Sequence, residues 1–259
     1  MKIVHIESLI SKGPYPESEE WRSQREHIKR AIEGNVWPPG SDKFTIHAQS
    51  GKKSGEGNGV KPIKAMTLDA MTGGKMDSYS ALRKQGKLPT TPSWVMEVPF
   101  PPHHLPKPKV KRNKDDTKPE KVLKPGKSDL IYLNGEGLIC FEWETGNISS
   151  SHRSLNKLAQ GLMLGHIQAG VLVVPSRKMY QYLTDRVGNY EELAWYFPLW
   201  KSIKCDNGVL EVFVVEQDAD DSKSSVKVQR IGKGTDGLAA QGAARLAKKV
   251  KAMEKAAKD

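Results

Sequence analysis

Glu142 and Glu144 are the residues best placed to do chemistry in this 259-residue chain. They lie in LICFEWETGNISSSHRSLNKLAQGL, residues 138–162, which opens as an apolar strand and closes as an amphipathic helix. Side chains two apart share one face of a strand, so the two carboxylates point the same way. Ile139, Phe141 and Trp143 take the opposite face. Paired carboxylates on a largely buried strand are costly to keep ionised unless a cation neutralises them. A divalent cation with oxygen ligands would do so.

The elements around this strand must bring further acids to it. Asp129 to Tyr132 and Leu138 to Trp143 are two apolar runs separated by Asn134-Gly135-Glu136-Gly137, and Asn-Gly between apolar runs signals a hairpin. A hairpin brings Asp129 to the end that carries Glu142 and Glu144, so three carboxylates converge. Glu97, in the short segment Trp94 to Pro99, could supply a fourth. Mg²⁺ needs only one or two carboxylates plus waters and substrate phosphate, and two such ions suit phosphodiester cleavage. Spacing alone slightly favours ordinary solvent-exposed strand-end acids over this reading.

A helix follows from about Ser151 to Ile167, with its apolar period at Leu155, Leu158, Ala159, Leu162 and Met163. Ala169 to Pro175 is continuously apolar, as in a strand buried on both faces. Arg177–Tyr182 and Asn189–Phe197 read as helices around the turn 183–186, and Val209 to Val215 as another strand. Upstream, residues 2–11 form a short strand or a helix start. Ser18 to Gly34 is a helix capped by Ser18 and closed by Gly34. Phe44-Thr45-Ile46 starts a strand, and two short helices follow at Ala65–Met71 and Tyr79–Lys84. This order predicts an α/β fold with a central mixed sheet and helices on both sides.

We expect one domain over 1–259, with two appendages. Residues 99–127 carry seven prolines and, from Lys107 onward, nine basic against three acidic residues, the composition of an extended solvated insertion. Residues 239–259 read as a basic Ala/Lys-rich C-terminal helix. The loop 51–59, GKKSGEGNG, lacks the Gly-Lys-Ser/Thr ending of a phosphate-cradling loop. His103-His104 has no second pair at zinc-ligand spacing.

A net charge of +11 favours a polyanionic partner without naming it. The two cysteines, Cys140 and Cys205, lack metal spacing and read as reduced thiols. No apolar run reaches membrane-spanning length and no secretory signal is present, so the expectation is a cytoplasmic protein with no membrane partner.

Glu142-Trp143-Glu144-Thr145-Gly146-Asn147-Ile148-Ser149-Ser150, with His152-Arg153-Ser154 and Asn156-Lys157-Leu158 behind it, resembles the active-site strand and helix of the BamHI-like type II restriction endonucleases. Tyr182 to Val187, Glu191 to Leu193, Phe44 to Ile46, Asn58 to Val60, Pro62 to Lys64, Lys233-Gly234 and Asp236-Gly237 match the same family in order. The resemblance implies a homodimeric, Mg²⁺-dependent enzyme with a PD-(D/E)xK core and two ions per active site. Asp129, Glu142 and Glu97 would bind metal, together with the Trp143 carbonyl. Glu144, standing where most of that fold group has Lys, would be the general base. Asn147, Ser149, Arg153, Asp185, Arg186, Asp236 and Lys64 would contact double-stranded DNA. The implied target is GGATCC, cut after the first G, with a cognate methyltransferase in the host.

The residues alone also permit simpler readings: helix capping for Asn147 and Ser149, and a surface ion pair for Asp185-Arg186. A same-core nuclease of other specificity, a sequence-specific DNA binder that does not cut, and a structural basic protein are the competing functions. Three departures from the family pattern stand out. The insertion at 99–127 is long, the hairpin between Asp129 and Glu142 is short, and Met163 and Leu164 replace charged residues expected to face the partner subunit.

Overall fold

The apolar run Ala169–Pro175 becomes the middle of the sheet, and all seven of its residues are buried. The computed structural model describes residues 1–49, 57–100, 126–134, 138–183 and 187–229. In chain order the elements are β1 (Lys2–Lys12), α1 (Glu19–Glu33), β2 (Thr45–His47), α2 (Val60–Thr72), α3 (Tyr79–Lys84), β3 (Ser93–Pro99), β4 (Lys127–Leu133) and β5 (Leu138–Trp143). There follow α4 (Ile148–Met163), β6 (Ala169–Pro175), α5 (Arg177–Tyr180), α6 (Tyr190–Ala194), α7 (Phe197–Lys201), β7 (Gly208–Glu216) and β8 (Ala219–Asp221). The expected insertion beyond Phe100 and the C-terminal helix lie outside the described residues.

Six strands form one mixed sheet in the order β1-β7-β6-β5-β4-β3. β6 runs parallel to both β5 and β7, which explains its unbroken apolar sequence. β3, β4 and β5 are joined antiparallel, so the expected hairpin is present. One face carries Phe141, Trp143, Val171 and Phe213 and is covered by α1 and α2 through Trp21, Ile28, Ile32, Ile63 and Leu68. The other carries Cys140, Leu172 and Val212 and is covered by α4, α6 and α7 through Leu155, Leu158, Leu193 and Trp200. The helices thus flank a central mixed sheet, as the alternation of apolar segments implies.

Several local expectations shift. Residues 2–12 are an edge strand paired with β7 rather than a helix start. α2 begins at Val60, so the segment before Ala65 is already helical. α4 begins at Ile148, earlier than its apolar stripe shows, because the Asn147 side chain accepts from the Ser150 amide at 3.2 Å and starts the helix. The expected helix at 189–197 divides into α6 and α7, with Pro198 in the first turn of the second. β8, unforeseen, pairs parallel with β2 in a separate two-stranded sheet.

Asn58 ties this small sheet to the main body. It is fully buried, and its amide oxygen accepts from the His47 and Val228 backbone N–H groups, each at 3.1 Å. Its amide nitrogen donates to the His47 and Tyr182 carbonyls, each at 2.9 Å. Replacing it strands several buried backbone groups. Asn58→Ala is expected to lower stability by about 3 kcal/mol, read as a shifted midpoint in urea unfolding followed by circular dichroism.

Candidate active site

β4 and β5 part company where the carboxylates gather. Their last paired residues are Leu130 and Phe141. Beyond that pair the Trp143 amide donates to Asp129 Oδ2 at 2.8 Å instead of continuing the ladder. The neighbouring strand is irregular at the same level. Glu97 has a φ of 53°, and Val95 and Val98, three apart, both enter the α4-side core. The register is the same on both sides of it, Met96 opposite Leu130 and Val98 opposite Ser128, so the irregularity is local to Glu97 and Asp129. At this level lies a cleft of about 420 Å³ lined by Asp129, Glu142, Trp143, Glu144, Lys64 and Lys157, among others. It lies at the carboxyl end of β5, the usual place for a ligand in a sheet with parallel strands.

Each carboxylate is held differently. Asp129 forms an ion pair with Lys64, which reaches in from α2 on one side of the sheet. Glu142 forms one with Lys157, which reaches in from α4 on the other. The first pair is partly open to solvent, with side-chain exposures of 20% and 21%, and the second is closed, at 6% and 8%. Burial and the neighbouring Asp129 charge push the Glu142 carboxyl up to about 7, and Lys157 and Lys64 pull against that rise without cancelling it. Burial also raises Glu144, against hydrogen bonds donated to it by the Gly146 and Thr145 backbone.

The oxygens of the cleft fit a divalent cation. Glu142 Oε1 is buried, and its partner among the described residues is the Lys157 ammonium. An oxygen in that condition suits a cation ligand. Asp129 and Glu144 line the same cleft, and this oxygen-rich donor set fits Mg²⁺ better than zinc. Among the described residues no three acid, His or Cys side chains already stand at cage distance. Mg²⁺ does not require such a cage, since water and phosphate complete its shell.

The remaining expected site residues fall into three groups. Glu97 does not line the cleft. Its side chain is half exposed and pairs with Lys127 at 2.7 Å, and it is Lys127 that borders the opening. Lys64, expected at DNA, lies on Asp129. Asn147, Ser149 and Arg153 are exposed along the first turns of α4, and Arg153 borders the cleft. Asn147 does cap the helix, so the simpler reading of that residue holds structurally. Asp185, Arg186 and Asp236 lie outside the described residues.

The flanks of 184–186 are nonetheless fixed. Leu183 and Val187 are buried, and Leu183 bridges to Asn58. A Cβ on Gly188 would stand 2.1 Å from Ser151 Oγ, so only glycine lets this segment press against the first turn of α4. Sequence reasoning missed Lys157 as a site residue. Its signal was present: Ser150, Arg153, Ser154 and Lys157 fall at the i, i+3, i+4, i+7 spacing of one helix face, and all four line the cleft.

The Glu142 carboxyl gives the cation-free protein a definite pH response. Its folded-state value lies above the ordinary 4.5, so the native state holds the proton more tightly than the unfolded chain. That stabilisation is complete below the ordinary value and is lost as pH rises through about 7. Without divalent cation, the wild-type melting temperature should therefore fall from pH 5 to pH 8 relative to that of Glu142→Gln. Parallel pH profiles in scanning calorimetry would show the carboxyl to be unperturbed.

Comparison with known proteins accounts for this arrangement. The family model described as restriction endonuclease BamHI matches residues 1–238. The type II restriction enzyme OkrAI of Oceanobacter kriegii is 35% identical over 239 residues, covering 92% of this chain and 99% of that protein. The type II restriction enzyme BamHI of Bacillus amyloliquefaciens is 33% identical over 172 residues, 66% of each chain. The match takes in the carboxylate cleft, the helix at its rim and nearly all the described fold, and the chain belongs to the BamHI family of restriction endonucleases.

Proposed function

We propose that the chain is a type II restriction endonuclease that acts as a homodimer on GGATCC and cuts after the first G, with Mg²⁺ as its cofactor and two ions per active site. One observation carries the reading of the cleft. Asp129, Glu142 and Glu144 converge at a single opening that α4 borders with Arg153. A protein that only bound DNA would have no need to gather those acids together. No helix among the described residues is long and apolar enough to cross a membrane. We place the enzyme in the cytoplasm, beside a methyltransferase that protects host DNA.

In this reading Asp129, Glu142 and the Trp143 carbonyl hold the cations, and Glu97 reaches the same centre only by leaving Lys127. The bound ions would lower the pKa of the attacking water and neutralise charge building on the phosphate. Glu144 orients that water and accepts its proton. The Gly146 and Thr145 N–H groups fix this carboxylate in place, so it enters the reaction already aimed. Lys64 holds Asp129 and is close enough to the opening to turn to a DNA phosphate. Asn147, Ser149 and Arg153 read bases from the N-terminal turns of α4, and Asp185, Arg186 and Asp236 complete the contacts.

Two-fold symmetry gives each subunit one half-site and one strand to cut. Met163 and Leu164 at the end of α4 are about half exposed. They support a subunit contact that is more apolar than the family pattern implies.

Digestion of a plasmid of known sequence with Mg²⁺ should give discrete bands whose sequenced ends begin GATCC. A smear, or other ends, would reject the assigned specificity. Glu144→Gln should reduce cleavage at least about 10³-fold while leaving site-specific binding in Ca²⁺ intact, measured by gel shift. Arg153→Ala should slow cleavage of already bound DNA as well as weaken binding. A defect confined to affinity would separate base reading from cutting.

A further inference from the structure

Lys157 is the one ammonium buried in the carboxylate cleft, among the described residues. It has three anchors. It lies against Glu142 Oε1, donates to the Lys127 carbonyl at 3.0 Å, and stands 5.8 Å from the centre of the Phe100 ring. Two of these do not involve Glu142, so the charge stays in place whatever that carboxylate does. Lys64 is different, since it is partly exposed and can release Asp129 into solvent. Lys157 has no such exit.

We propose that Lys157 is a positioning residue: a resident counter-ion that holds Glu142 in the cleft and competes with the divalent cation for the same oxygen, so that it sets the cation affinity of the enzyme. The inference rests on the reading of Glu142 as a cation ligand. A buried carboxylate without a counter-charge is strongly disfavoured, so the lysine stabilises the cation-free protein. A fixed positive charge beside the cation's ligand opposes the cation at close range and in a poorly screened place. One side chain thereby does two opposite things, and both follow from its charge rather than its bulk.

The test uses the full chain without DNA, Ca²⁺ as the probe, isothermal calorimetry at pH 8.5 and thermal melts in parallel. Lys157→Met and Lys157→Gln should bind Ca²⁺ about tenfold more tightly than the wild type, because the opposing charge is gone. Lys157→Arg keeps the charge and should stay within about twofold. The neutral variants should melt lower without Ca²⁺ and gain more from its addition. Should they fold only with Ca²⁺ present, the dependence of folding on Ca²⁺ concentration yields the same affinity.

Equal or weaker Ca²⁺ binding by both neutral variants overturns the proposal. A purely structural role for Lys157 gives that result, with lower melting points and no tighter binding. Wild-type binding that survives Glu142→Gln instead overturns the ligand reading, and the proposal with it. Binding lost in Glu142→Gln yet unchanged in Lys157→Met overturns the proposal alone.

Discussion

The need to neutralise carboxylates inside a sheet governs this structure. Glu142 is buried on a central strand, Asp129 lies beside it, and burial together with the Asp129 charge works against ionisation of Glu142. The fold answers with a lysine from each side of the sheet, Lys64 from α2 and Lys157 from α4. Neither helix packs there for its own stability alone. Their apolar faces build the two cores, through Ile63 and Leu68 on one side and Leu155 and Leu158 on the other. Each turns one polar position inward at the level where the strands separate. Removing either helix would remove both a layer of the core and a counter-charge.

The strands separate because regular pairing fails locally. Glu97 takes a positive φ on β3, and the Trp143 amide on β5 turns to the Asp129 side chain. A non-glycine residue in that conformation is strained, and such strain persists only where the surroundings enforce it. Here the enforcing elements are Val95 and Val98, both locked into the α4-side core. The same irregularity turns Glu97 outward to Lys127, so the opening comes with one acid withdrawn from it.

Much of this was legible in the residues, and what was not had physical causes. Periodicity located β5, β6, β7 and α1 because each buries an unambiguous apolar face. The pairing of Asp129 with Glu142 and Glu144 followed from the hairpin, since an Asn-Gly turn fixes which strand ends meet. The start of α4 was misjudged because an apolar stripe shows where a helix packs, not where it begins. The cap at Asn147 decides that. β2 and β8 are three-residue strands whose pairing depends on Asn58 far away in sequence, which no local pattern reveals. That Glu97 turns to Lys127 was hidden for a similar reason: its positive φ breaks the alternation that face assignments assume. Lys157 was overlooked because a lysine on a helix is normally solvated, and only the packed structure shows that this one is not.

The arrangement of α4 bears on how reading and cutting are joined. Asn147 and Ser149 stand at its first turn, Arg153 one turn on, and Lys157 one turn beyond that, against Glu142. Sixteen residues of continuous helix make these positions move together. Gly188, pressed on Ser151, ties the segment that carries 184–186 to the same turn. A base contact that displaces the N-terminal turns of α4 must therefore displace the counter-charge on Glu142 as well. On the proposed reading, cation affinity and base recognition become linked through one rigid element, and linkage of this kind is reciprocal. A DNA site that seats α4 correctly would favour cation uptake, and bound cation would favour that seating. No separate relay between the two sites is then required.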